Sequence, residues 1–142
     1  MMKKILIAVD GSDYSMEAVK LVKDLSPSNS INEIYLVNVQ NYTFPSEPYH
    51  SFGTEESVRN LLKDKGDKVI RDIKEAFPEE KYHTSVQVGD TVKEILKYAS
   101  EIGADMIIAG SHGKTGLTSI IMGSTTTKLL SSSTIPVLVL KI

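Results

Sequence analysis

Short apolar runs alternate with stretches of helical spacing along the chain, and few folds accept that order. Residues 3–9 (KKILIAV) form an apolar run ended by Asp10-Gly11-Ser12. Such a run suits a strand buried on both faces. Tyr14, Ala18, Leu21, Val22 and Leu25 then mark a helical face over residues 14–25, closed by Ser26-Pro27. Residues 34–39 (IYLVNV) read as a second strand. Residues 41–54 hold Pro45, Pro48 and Gly53, show no period and read as a loop. Val58, Leu62, Val69, Ile73 and Phe77 mark one face of a long helix stopped by Pro78. Its charged face, from Lys63 to Lys68, reads as solvated. Residues 84–88 alternate polar and apolar, a third strand. Thr91 and Glu94 suit a capping box for the next helix, which buries Val92, Ile95, Leu96, Ala99 and Ile102. Residues 104–109 (ADMIIA) make a fourth strand, 125–131 a short helix and 136–140 (PVLVL) a fifth strand.

The order βαβαβαβαβ implies an α/β, Rossmann-like domain: an open five-stranded parallel sheet with helices on both faces. Its crossovers are right-handed. Ligands in such sheets sit outside the carboxyl ends of the strands, where the strand order reverses. Asp10 after the first strand and Gly110 after the fourth both look chemical, so these two strands are placed side by side. That gives the order 3-2-1-4-5, which comes from the logic of the site and not from periodicity. At 142 residues there is room for a single domain, spanning 1–142. No apolar run approaches the roughly 18 residues of a membrane span, and the first apolar stretch is too short for a signal-peptide core. The expectation is a cytoplasmic protein with no membrane partner. The absence of Cys excludes disulfides, zinc–thiolate sites and thiol nucleophiles. A net charge of −2 gives no electrostatic reason to expect a nucleic-acid partner.

The chemistry concentrates in Gly110-Ser111-His112-Gly113-Lys114-Thr115-Gly116 and, further on, Gly123-Ser124-Thr125-Thr126. Glycines after a buried strand let backbone N–H groups approach a ligand, and successive N–H groups there form an anion-binding concavity. Gly123-Ser124-Thr125 opens a helix whose free N–H groups favour a phosphate. The hydroxyls of Ser124, Thr125 and Thr126 offer further donors. Two familiar phosphate motifs fail: the P-loop would need glycine where Ile108 stands, and Ser111-His112 splits the first two glycines of the dinucleotide fingerprint. What stands is G-x-x-G, nine residues, then Gly-Ser. Taken alone, this also fits a flexible loop followed by a helix cap. Asp10 likewise fits a cap of the first helix, and Val39 a core valine. His50 and His83 read as surface residues.

Gly110-x-x-Gly113, the nine residues 114–122 and Gly123-Ser124 resemble the G-2x-G-9x-G-[ST] signature of the universal stress protein family. The resemblance extends over essentially the whole chain. Residues 3–12 look like that family's first strand and acidic turn, 89–90, 94–99 and 103–110 like its third crossover and fourth strand, and 136–140 like its closing strand. The intact signature implies the branch of the family that binds ATP, with Mg²⁺ or Mn²⁺. By resemblance Asp10 meets the ribose and holds a metal indirectly, and the Val39 backbone addresses the adenine edge. Ala109 and Gly110 lie along the ribose and α-phosphate, while His112, Gly113, Gly123, Ser124 and Thr125 form the phosphate cradle. Thr125-Thr126-Thr127 is more polar than the usual start of this helix.

Two functions follow from that resemblance. In the first, ATP occupancy works as a regulatory switch in a stress response. In the second, the chain is a slow ATPase, for which Asp10, His112 and Lys114 are the available groups. Phosphoryl transfer also needs charge stabilisation and a positioned water. The two arginines, Arg59 and Arg71, lie on the charged helix far from the signature. Binding is therefore favoured over turnover, and no catalytic residue is assigned. The last strand, Pro136 to Ile142, is apolar on both faces and lies at a sheet edge, which points to a homodimer through that edge.

Overall fold

The computed structural model describes residues 3–25, 33–44, 54–78, 81–111 and 123–141. Five strands alternate with four helices: β1 (Lys4–Ala8), α1 (Asp13–Leu25), β2 (Glu33–Asn41), α2 (Glu55–Ala76), β3 (Tyr82–Gly89), α3 (Thr91–Ile102), β4 (Met106–Gly110), α4 (Ser124–Ser132) and β5 (Val137–Leu140). The strands form one sheet in the order β3-β2-β1-β4-β5, and every pairing is parallel. The expected α/β, Rossmann-like architecture and the 3-2-1-4-5 order are both present.

Alternation along the strands divides the core in two. Ile5 and Ile7 of β1, Leu36 of β2 and Ile108 of β4 pack with Val19 and Val22 of α1 and Ile70 and Ile73 of α2. Leu6, Val37 and Ile107 point the other way, to Val92 and Ile95 of α3 and Leu129 of α4. The central strands are apolar on both faces because each face carries a helical layer.

The structure corrects several expected boundaries. β2 runs through Asn41 because its pairing with β3 continues to Asn41 opposite Gly89, and the Tyr42 N–H donates to Gly89 O at 3.3 Å. β3 starts at Tyr82, with exposed His83 and Thr84, which an edge strand tolerates. Leu25 is exposed, and α1 instead buries Ser15, Ala18, Val19 and Val22. The cap of α3 is not Thr91 but Asp90, whose carboxylate accepts the Lys93 N–H at 2.9 Å. Aspartate is as good a cap as serine or threonine, and here it sits one residue earlier. Gly103 ends α3 in the left-handed region at φ 67°, and its N–H returns to Ala99 O and Ser100 O. At the amino end of the sheet the Asp105 carboxylate accepts the N–H groups of Lys3 and Lys4, both at 2.9 Å. Those two bonds hold its carboxyl below the ordinary carboxylate value.

Candidate functional site

A crevice of about 530 Å³ opens at the carboxyl end of the sheet, where the order reverses between β1 and β4. Both strands leave the sheet here and their helices pack on opposite faces, so the two chain ends part and leave a cleft. From β1 and its turn come Ala8, Asp10 and Ser12; from β2, Val37, Val39 and Asn41; from β4, Ala109 and Gly110. Thr91 and Ile95 of α3, with Gly123, Ser124, Thr125 and Thr126 at the start of α4, make the opposite wall.

Asp10 sits in a turn that it stabilises itself. Its Oδ1 accepts the Ser12 N–H at 2.9 Å and the Ser15 hydroxyl at 3.2 Å, while its own N–H donates to Ser15 Oγ at 3.0 Å. Among the described residues Oδ2 takes no hydrogen bond. Gly11 follows at φ 83°, the left-handed conformation that this turn requires. Ser12 stands immediately before α1, but its buried Oγ makes no hydrogen bond.

The glycine-rich segment is anchored at both ends. The Ser111 N–H donates to Leu140 O at 2.8 Å, and the Gly123 N–H donates to Ser111 O at 2.8 Å. Thr126 is buried, and its hydroxyl donates to Gly110 O at 2.7 Å. That bond ties the first turn of α4 to the end of β4 and commits the Thr126 proton to the fold. The first intrahelical bond runs from the Thr127 N–H to Gly123 O at 3.0 Å. Gly123 caps α4 without a side chain, so the Ser124 and Thr125 N–H groups start the helix with no side-chain acceptor. No acidic residue occupies that first turn.

Eight residues singled out from the sequence line this one crevice: Asp10, Val39, Ala109, Gly110, Gly123, Ser124, Thr125 and Thr126. His112, Gly113 and Lys114 lie outside the described residues. Ser12, Asn41, Thr91 and Ile95 also line it, and the sequence reading did not place them there. Asn41 was within reach of that reading, since it continues the alternate face of Val37 and Val39. Among the described lining residues Asp10 alone carries charge at neutral pH, and no Lys, Arg or His is present. No group of three or more His, Asp or Glu among the described residues is arranged to hold a metal ion, and no helix among them is long and apolar enough to cross a membrane.

Comparison with known proteins identifies relatives over the same length. Universal stress protein MJ0531 of Methanocaldococcus jannaschii is 35% identical, over 98% of this chain and 82% of its own. The solved structure of MJ0577, from the same organism, superposes with a TM-score of 0.79 at 30% identity, covering 100% of this chain and 97% of that one. Two more distant structures share the fold: a universal stress protein in complex with cAMP, with a TM-score of 0.66 at 20% identity over 98% of this chain and 97% of its own, and an Arabidopsis thaliana family protein with AMP bound, 0.63 at 17% over 98% and 91%. The model of the universal stress protein family matches residues 1–141, and the chain belongs to that family.

Proposed function

We propose that the crevice binds ATP and that occupancy works as a regulatory switch in a stress response. The observation that carries this reading is the uncapped start of α4 facing Asp10 across the crevice. Free N–H groups at a helix start, with the positive end of its dipole, suit a phosphate. A carboxylate oxygen with no other hydrogen bond suits sugar hydroxyls. The apolar slot between Val39 and Ile95 suits a flat base. The crevice volume lies within the ordinary range for small-molecule sites. The orphaned Ser12 hydroxyl supports the same fit. Leaving a buried hydroxyl unpaired costs about 1–3 kcal/mol, and turning toward a ligand oxygen beside Asp10 would give it a partner. The cAMP and AMP complexes of distant relatives are consistent with an adenosine phosphate.

Mg²⁺ or Mn²⁺ would enter with the nucleotide, neutralising phosphate charge, with Asp10 holding it only indirectly. Mg²⁺ keeps several waters when it binds through phosphate oxygens, which suits an indirect carboxylate. Slow hydrolysis is the alternative, and the lining described above does not favour it. Among the described lining residues a single charged side chain, already half committed to its own turn, gives neither a dedicated base nor a cation for the γ-phosphate. Within this reading the protein is cytoplasmic and dimerises through β5.

Calorimetry with ATP and Mg²⁺ tests the proposal. A dissociation constant in the micromolar range, about −8 kcal/mol, is expected. Phosphate release should fall below roughly 1 s⁻¹, the low end of ordinary enzymes. Absence of heat from folded protein would remove the nucleotide reading, and faster release would move it to the ATPase.

A further inference from the structure

Three side-chain amides stand near the carboxyl end of β2, and two of them are committed to the fold. Asn38 Nδ2 donates to Val9 O at 2.8 Å, and Asn38 Oδ1 accepts from Gln40 Nε2 at 2.7 Å. Both residues share the face of β2 that carries Leu36, against α1 and α2. Asn41 lies on the other face, in line with Val37 and Val39. Its amide makes no hydrogen bond to a described residue, and it lines the crevice mouth. Across the strand pair stands Gly89, which has no side chain to cover it.

The neighbouring walls suit a planar ring. Val37 and Ile95 are buried and Val39 is half-buried, and exposed Asn41 and half-buried Thr91 bring polar side chains to the same lining. A ring held between apolar walls presents its polar edge to those groups.

We infer that Asn41 reads the base and makes the crevice select adenine over guanine nucleotides. This deepens the nucleotide reading above and rests on it. An amide presents a donor and an acceptor side by side. Adenine answers with its 6-amino donor and its N7 acceptor, so both bonds form at once. Guanine presents two acceptors on that edge, O6 and N7. Whichever way the amide is turned, Oδ1 then faces another acceptor. Valine or leucine at this position would keep the slot and lose this part of the distinction.

The experiment compares ATP, GTP and 7-deaza-ATP, which keeps the 6-amino group and lacks N7, on the native protein and on Asn41→Leu by calorimetry. Circular dichroism checks the fold of the variant. The native protein should prefer ATP to GTP by roughly tenfold or more, the scale of one bidentate base contact. Asn41→Leu should narrow the native preference for ATP, leaving only what the Val39 backbone contributes. Retention of the native ratio in a folded Asn41→Leu overturns the inference and leaves the nucleotide reading standing. Failure of the native protein to bind ATP overturns both. The analogue decides without any substitution: weaker binding of 7-deaza-ATP than of ATP supports the inference, and equal binding overturns it.

Discussion

The two oxygens of Asp10 stand in different settings. Oδ1 closes the turn into α1 through Ser12 and Ser15, and Oδ2 is left to the crevice. The two readings of this residue from sequence, helix cap and ligand contact, compete only while the side chain is treated as a single point. Two substitutions separate them. Asp10→Asn keeps an amide oxygen for the turn and removes the charge. Asp10→Ala removes the acceptor and leaves the buried Ser15 hydroxyl without it. Urea denaturation should show Asp10→Ala destabilised by about 1–2 kcal/mol and Asp10→Asn by much less. Both should bind ATP more weakly in calorimetry. Undiminished affinity in Asp10→Asn would show that Oδ2 does not meet the ligand.

At the scale of elements, Gly66 decides how closely α2 approaches the sheet. It is buried in the middle of a 22-residue helix, where propensity alone would favour alanine by about 1 kcal/mol. A Cβ built there would lie 2.8 Å from Asn38 Oδ1 and would overlap Val86. Backing α2 away would disturb the bond by which Asn38 holds Val9, the residue before Asp10. Gly66→Ala should therefore lower stability despite its better propensity, by about 1–3 kcal/mol as for other overpacked cores. Thermal melting checks the sign, and a raised melting temperature would show that α2 can shift without loss. Nothing in the sequence marks Gly66, because its role depends on Val86 and Asn38, twenty or more residues away. The same limit applies to β3. Tyr82 and the exposed His83 precede the alternation that begins at Thr84, and only pairing with β2 reveals them as strand. Elements whose side chains are buried by their own period were legible: β1, β2 and β4 show long apolar runs because helices cover both their faces. Gly110 and Gly123, the described glycines of the signature, were legible from their spacing. The position of Asn41 was within reach through the alternation of Val37 and Val39, but its uncommitted amide is recognisable only beside the committed amides of Asn38 and Gln40.

For the whole molecule the strand order came from chemistry: two turns that read as chemical in the sequence had to share one crevice, and the sheet has the order that allows it. That order leaves β5 at an edge. Leu138 and Leu140 pack toward the α1 side and Val137 toward the α4 side, and all four residues of β5 remain half-buried. An apolar edge with free N–H and C=O groups invites a second strand. A two-fold axis would pair β5 with its own copy, so that one patch meets itself. The hydrogen bonds to β4 show which groups would be used. Pro136 O accepts the Ile107 N–H at 3.0 Å and Leu140 O accepts the Ser111 N–H at 2.8 Å. Backbone groups alternate sides along a strand, so Leu138 also faces β4, and Val137 and Val139 face outward. Val139→Pro therefore removes a donor from the free edge and none from the sheet, which an edge strand tolerates. Light scattering of the native protein should give about twice the chain mass, and Val139→Pro should move it toward the monomer while ATP affinity persists. A native monomer at tens of micromolar would show that this edge does not pair with its copy. A Val139→Pro variant that stays dimeric would place the contact on another surface.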